Sequence, residues 1–212
     1  MTLPTSGLIT VNDRGARAAT TFGSVAAAGG NMVFIKKLTA SSSGTLSFVD
    51  GTDGVVLDDT YKEYMFTFKD IHPATNNVTF TFNMSADTGS NYNVTKTTTH
   101  FRAIHGEGDS PATLNYNGSD DLAQGTGFQN LYGGSGSDND QCISGYFQLF
   151  NPSSTTFVKH FIAQTQGSHG DNFSITNFIA GYGNTTSAVD AIQFKFSSDN
   201  IDAGDICLYG IL

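Results

Sequence analysis

The sequence predicts an all-β protein, an antiparallel β-sandwich of jelly-roll type with an extended N-terminal arm. Three observations carry this expectation. The chain has 17 Phe, 8 Tyr and 24 Gly and no Trp. Aromatic and β-branched residues suit pleated, half-buried surfaces, while Gly, Asn and Asp supply turns. Several segments alternate apolar and polar residues with period two. Turn-forming clusters separate these segments at roughly 10- to 20-residue intervals.

Residues 1–32 stand apart. They hold "LITV", an Arg-containing turn and the small-residue run "ATTFGSVAAAGGN", which carries too little large apolar surface to form a core alone. They read as an arm or linker that docks on another body, leaving 33–212 as one β-sandwich domain. "MVFIKKLTA" and "GTLSFVDG" are expected to pair as a hairpin through "SSS". "EYMFTFKDI" places Tyr64, Phe66 and Phe68 on one face and Met65, Thr67 and Lys69 on the other.

In "VTFTFNMSADTGSNYNVTKTTTHF", Val78, Phe80, Phe82 and Met84 share one face, and Thr79, Thr81 and Asn83 share a face expected to be wet. "SADTGSN" then reads as the turn of a second hairpin. Residues 105–141 are the least regular part. Within them "SDDLAQG" has the Ser, early acids and Gly stop of a short helix. Strand patterns resume at "CISGYFQLFN" and run to the C-terminus, with "NPSST" a tight turn and Pro152 at its second position. About nine strands are expected.

Charge narrows the functional classes. Charged residues make up 14% of the chain, against about 25% typically, and the net charge is −9. The ten Lys and Arg are scattered and form no basic stripe of the kind that neutralises phosphates, so no nucleic-acid partner is expected. No apolar run is long enough for a membrane helix, and the N-terminus lacks the pattern of a secretory signal; no membrane insertion is expected.

Candidate chemistry is sparse. Only two glutamates occur, Glu63 and Glu107, whereas glycoside hydrolysis takes two facing carboxylates. The pairs Asp58/Asp59, Asp120/Asp121 and Asp138/Asp140 sit in turn-like settings where Asp bonds nearby backbone amides. "DGTDG" and "GSDND" are oxygen-rich but lack EF-hand spacing. The five histidines form no metal-ligand motif, and no GxSxG elbow anchors a nucleophile. Cys142 and Cys207 lie in strand-like runs and read as buried thiols. No catalytic residue, cofactor or metal is expected. Tyr116, Phe128 and Tyr132 are the candidate contacts for a glycan or partner, offering aromatic faces among Asn and Asp.

The opening "LPTSGLITVND" resembles the start of many structural proteins of tailed bacteriophages. "YMFTFKDIHPATNNVTFTFNMSADTGSNYNVTKTTT", "LFNPSSTTFVKHFIAQTQG" and "IAGYGNTTSAVDAIQFKFSSDNIDAGDICLYGI" resemble a family of virion structural or tail-fibre proteins of marine phages, including cyanophages. The continuation "DRGARAATTFGSVAAAGG" departs from the usual pattern after "ND". The resemblance implies a non-enzymatic virion component assembled in the host cytoplasm, a tail-fibre or appendage subunit, with a capsid decoration protein or a module for host surface glycans as alternatives. Its implied partners are copies of itself, as a homotrimer, and other virion proteins.

Overall fold

A computed structural model describes residues 31–212, which form one compact unit. The expected N-terminal arm lies outside the described residues, except that its final residue, Met32, opens the first strand. Among the described residues there are twelve strands and no helix.

The strands are β1 (Met32–Thr39), β2 (Leu46–Val49), β3 (Glu63–Pro73), β4 (Val78–Ser85), β5 (Lys96–Gly106) and β6 (Ala112–Tyr116). They continue with β7 (Gln129–Ser135), β8 (Ile143–Phe150), β9 (Lys159–His169), β10 (Phe173–Gly183), β11 (Ala191–Phe196) and β12 (Ile201–Ile211). All pairings are antiparallel. The main path is β1-β12-β3-β8-β9-β7-β4-β11-β2, and a branch leaves β9 as β10-β5-β6. The link from β9 to β7 is the single pair Ser135/His169.

The sheet curls until it nearly closes into a barrel. Phe48 on β2 packs edge-on against Phe66 on β3 with ring centroids 5.2 Å apart, although these strands are far apart along the path. Phe68 likewise meets Phe80 at 5.3 Å, and Phe82 meets Phe161 at 5.0 Å. Tyr64, Phe66 and Phe68 all point inward, as the alternation predicts.

Several expectations need correction. β1 and β2 do not pair; they lie on opposite edges of the sheet, β1 on β12 and β2 on β11. β4 and β5 are not a hairpin either, since β4 sits between β11 and β7 while β5 sits between β10 and β6. Thr81 and Asn83 are buried, not wet. The Asn83 amide donates to the carbonyls of Tyr92 and of Thr126, the latter at 3.0 Å, and Thr81 Oγ1 donates to Lys195 O at 2.9 Å.

The segment 119–125 is not helical. It runs alongside β5, where Asn117 N donates to His100 O (2.7 Å), Thr98 N to Leu122 O (2.9 Å) and Lys96 N to Gly125 O (2.8 Å). Backbone donors on the neighbouring strand outweigh the capping signal. At "NPSST", Ser154 N donates to Asn151 O at 3.1 Å, closing the turn around Pro152.

Candidate functional site

β5, β9 and β10 are 11-residue strands, and β10 pairs with both neighbours over its whole length without a register shift. Side chains therefore alternate cleanly between the two faces. The inward side of β5 carries Lys96, Thr98 and His100, all buried. Its outward side carries Thr97, Thr99, Phe101 and Ala103, with Phe101 exposed to 43%. The usual polarity of a surface strand is reversed.

The inward groups are held by hydrogen bonds. Thr98 Oγ1 donates to Gln129 Oε1 at 2.7 Å and accepts from Leu122 N at 2.8 Å. The Gln129 amide donates to Asp120 O at 2.7 Å. His100 Nε2 lies 3.0 Å from Asn177 Oδ1, and the Asn177 amide donates to Thr165 Oγ1, which itself donates to Leu131 O at 2.6 Å. Lys96 Nζ donates to Val94 O (2.7 Å) and to Asn83 Oδ1. Burial without a facing carboxylate pulls the Lys96 ammonium down to about 7.

Lys159, opposite Gly183 on β9 as Lys96 is on β5, donates to Phe157 O (2.7 Å) and Thr185 O (3.2 Å). Burial lowers its pKa too. The fixed hydrogen-bond partners and the water-excluding strands make this network a structural interior.

The outward face has a different character. Across β8, β9, β10, β5 and β6, no side chain turned outward is Asp, Glu, Lys or Arg. Phe101 and Phe178, directly opposite in register, stack at 5.0 Å with planes 10° apart. Tyr116 is the cross-strand neighbour of Phe101 on the far side. A shallow trough of about 370 Å³ runs over Ala180, walled by Phe150, His160 and Tyr182. It shares Thr99, Ile162 and Ala180 with a smaller groove beside Phe101, Tyr146 and Phe178. The trough exists because Ala180 is small between larger neighbours on β5 and β9.

The three candidate contacts are not brought together. Tyr116 is exposed on β6. Phe128 is half-buried beneath Lys195, whose Nζ lies 4.2 Å above the ring. Tyr132 is fully buried on β7, because that strand packs its ring against Gly167, and it offers no surface contact. Tyr116 shares its outer face with Phe101, Tyr146, Phe150, Phe178 and Tyr182, and these five are missing from that expectation. The signal that identifies them is the pairing of Phe101 and Phe178 against polar inward neighbours, visible only once the register of β5 and β10 is known.

The acidic pairs sit in turns. Asp58 accepts Thr60 N at 2.8 Å and is held below the usual carboxylate range by bonds from Thr60. Asp120 accepts from Asn130 Nδ2 at 2.6 Å and from the Asn117 amide. Asp50 in "DGTDG" accepts Leu57 N at 2.8 Å. No cluster of three or more His, Cys, Asp or Glu with metal-binding geometry occurs among the described residues. Cys142 and Cys207 are free thiols and are half-exposed rather than buried. Cys207 alternates with the inward Ile206 and Leu208 and so faces outward.

No protein-family model, curated protein or solved structure matches this chain.

Proposed function

We propose that this chain is a non-enzymatic virion structural protein of a tailed phage, a self-associating appendage or tail-fibre subunit built on a flattened, jelly-roll-like sandwich. One observation carries the reading. β5 turns Phe101 outward and Lys96, Thr98 and His100 inward, so its outer aromatic surface leaves water only when something covers that side. A copy of the same chain is the natural cover. The chain carries −9 overall, and like-charged copies approach most readily through a face without charge.

The resemblance of residues 64–99, 149–167 and 179–211 to marine phage virion proteins supplies the context, and three copies is the number it implies. A capsid decoration protein remains the other placement on the particle. A second reading, recognition of a neutral host-surface glycan, draws on the trough over Ala180, where aromatic walls stand beside the hydroxyls of Thr97, Thr99 and Tyr182.

Light scattering of the purified full chain tests self-association. A mass of several chains is expected, and Phe178→Asp is expected to lower it by placing a charge in the covered face. A chain that stays single at micromolar concentration sinks the reading. Gold-labelled antibody imaging of particles then separates tail from head. Neutral glycans that bind the wild type and lose binding in Tyr182→Ala would favour the second reading.

A further inference from the structure

Among the described residues the sheet has three outer edges, β1, β2 and β6. Natural proteins protect such edges with bulges, lysines, proline or short length, since an open edge pairs with other chains. β1 carries Lys36 and Lys37 and a register shift between Phe34 and Lys36. β2 is only four residues long. β6, five residues long and preceded by Pro111, has neither a lysine nor a bulge. Its sequence ATLNY is uncharged, its five pairs with β5 run without a shift, and all five residues are exposed, Leu114 to 74%.

The backbone direction along β6 follows from the bonds at its two ends. Gly106 N donates to Pro111 O at 2.8 Å, and Asn117 N donates to His100 O at 2.7 Å. In an antiparallel ladder, hydrogen-bonded and non-bonded pairs alternate. Between those fixed points, Thr113 and Asn115 therefore bond to β5. The N–H and C=O groups of Ala112, Leu114 and Tyr116 point to the free edge.

We propose that β6 is a strand-addition site for β6 of a second copy, paired antiparallel about a two-fold axis at Leu114. In this register Leu114 faces its own mate and Ala112 faces Tyr116 of the other copy, giving up to about six new backbone bonds. Ala112, Leu114 and Tyr116 lie on the same side as Phe101 and Ala103, so the joined edge carries the aromatic outer face from one copy into the next, with Asp121 beside Tyr116 and Asp109 beside His105 at its ends. That continuity, and a register in which the edge is complementary to itself, make a second copy the fitting occupant.

The inference rests on the self-association reading and narrows it. A two-fold contact joins copies in pairs, so a trimer formed through the sheet face would be linked to a second trimer by it. Acidic turns flank the strand: Asp109 of one copy approaches Asp120 and Asp121 of the other. Association through β6 is therefore expected to strengthen as salt rises.

Leu114→Pro removes a donor only from the free edge and leaves the β5 ladder untouched. Light scattering on full chains should show this variant, and Leu114→Asp, with the stoichiometry halved or the dissociation constant raised at least tenfold. Thermal melting alongside checks that both stay folded. Should Leu114→Pro fail to fold, Leu114→Cys on a background with Cys142 and Cys207 changed to Ser decides the matter. Opposed residues in a bonded antiparallel pair lie about 5.5 Å apart, within disulfide reach, so mild oxidation should join two chains covalently.

Wild-type mass in Leu114→Pro together with no covalent pair from Leu114→Cys overturns the proposal. If Phe178→Asp abolishes association while Leu114→Pro does not, the face reading survives and the edge reading fails. A wild type that is a single chain defeats both.

Discussion

The interior of this barrel has two regions built on opposite principles. Between β2, β3, β4, β8 and β11 it is a mesh of phenylalanine rings: Phe194 alone lies within 6.5 Å of the rings of Phe48, Phe66, Phe68, Phe80, Phe82 and Phe147. Beneath β5 and β10 the inward groups mix Ile175 and Ile179 with a polar cluster of Lys96, Thr98, His100 and Asn177, packed against Gln129 and Thr165. The first region is stabilised by area removed from water and tolerates shape changes of similar volume. The second depends on each donor having its acceptor, because an unpaired polar group in a dry interior loses its hydration for nothing. The outer surfaces differ too: β3 and β12 turn Glu63, Lys69 and Asp205 outward, whereas β5 and β10 turn Phe101, Phe178 and Tyr182 outward and no charged residue.

The contrast is broken most severely at the aromatic end. Phe194→Ala leaves a hole that touches six rings on four other strands, and the expected loss is about 3–5 kcal/mol. Urea unfolding reads it. A loss below 1 kcal/mol would mean that the rings collapse into the space and that the mesh is fluid rather than fitted.

Thr98→Val tests the polar end at almost constant volume. It leaves Gln129 Oε1 and Leu122 N without the partners they have at 2.7 and 2.8 Å, and the loss should be about 2–3 kcal/mol. A neutral result would show that this end of the interior is wet.

The same contrast decides how much could be read from sequence. Tyr64, Phe66 and Phe68, like Phe80 and Phe82, declare their face because apolar side chains alternate with Thr or Lys. "KTTTHF" reads as a wet strand for the same reason, yet its polar face is the buried one. Alternation gives the period but not the direction. Here direction is set by long-range partners: Asn177 from β10 meets His100 Nε2, and Gln129 from β7 accepts from Thr98. Strand pairing was hidden similarly. "SSS" between β1 and β2 looks like a hairpin turn, but β2 finds β11 about 140 residues later, and local turn chemistry carries no information about that. The aromatic outer face needed both facts and could not be assembled from single residues such as Tyr116 and Phe128.

Lys96 makes the polar region sensitive to pH. In the unfolded chain its amine titrates near 10.5, and in the fold near 7. Between those values the unfolded state binds more protons than the native state, so stability rises with pH across this window. The destabilisation is fully present below 7 and gone above 10.5. The slope from this one group is at most about 1.4 kcal/mol per pH unit. Lys159 is shifted the same way, so the contribution of Lys96 is read as the difference between wild type and Lys96→Met. The wild type should therefore gain stability relative to Lys96→Met between pH 7 and 9. Parallel stability curves for the two proteins would mean that Lys96 reaches solvent or keeps its proton in the fold.

The smallest effect is expected at Tyr132. Its ring is packed in the core, but its hydroxyl, fully buried, has no hydrogen-bond partner, and burial pushes its pKa up. The residue belongs to the aromatic region by shape and to the polar region by chemistry, and it satisfies only the first. Tyr132→Phe keeps the ring and removes an oxygen whose desolvation is uncompensated, so the variant should be more stable by about 1 kcal/mol. A rise in melting temperature of a few degrees is the reading. A fall would mean that the hydroxyl is bonded through water to a neighbour such as Arg102, whose charge lies close enough to act on the phenol, and the border between the two regions would then run on the far side of β7.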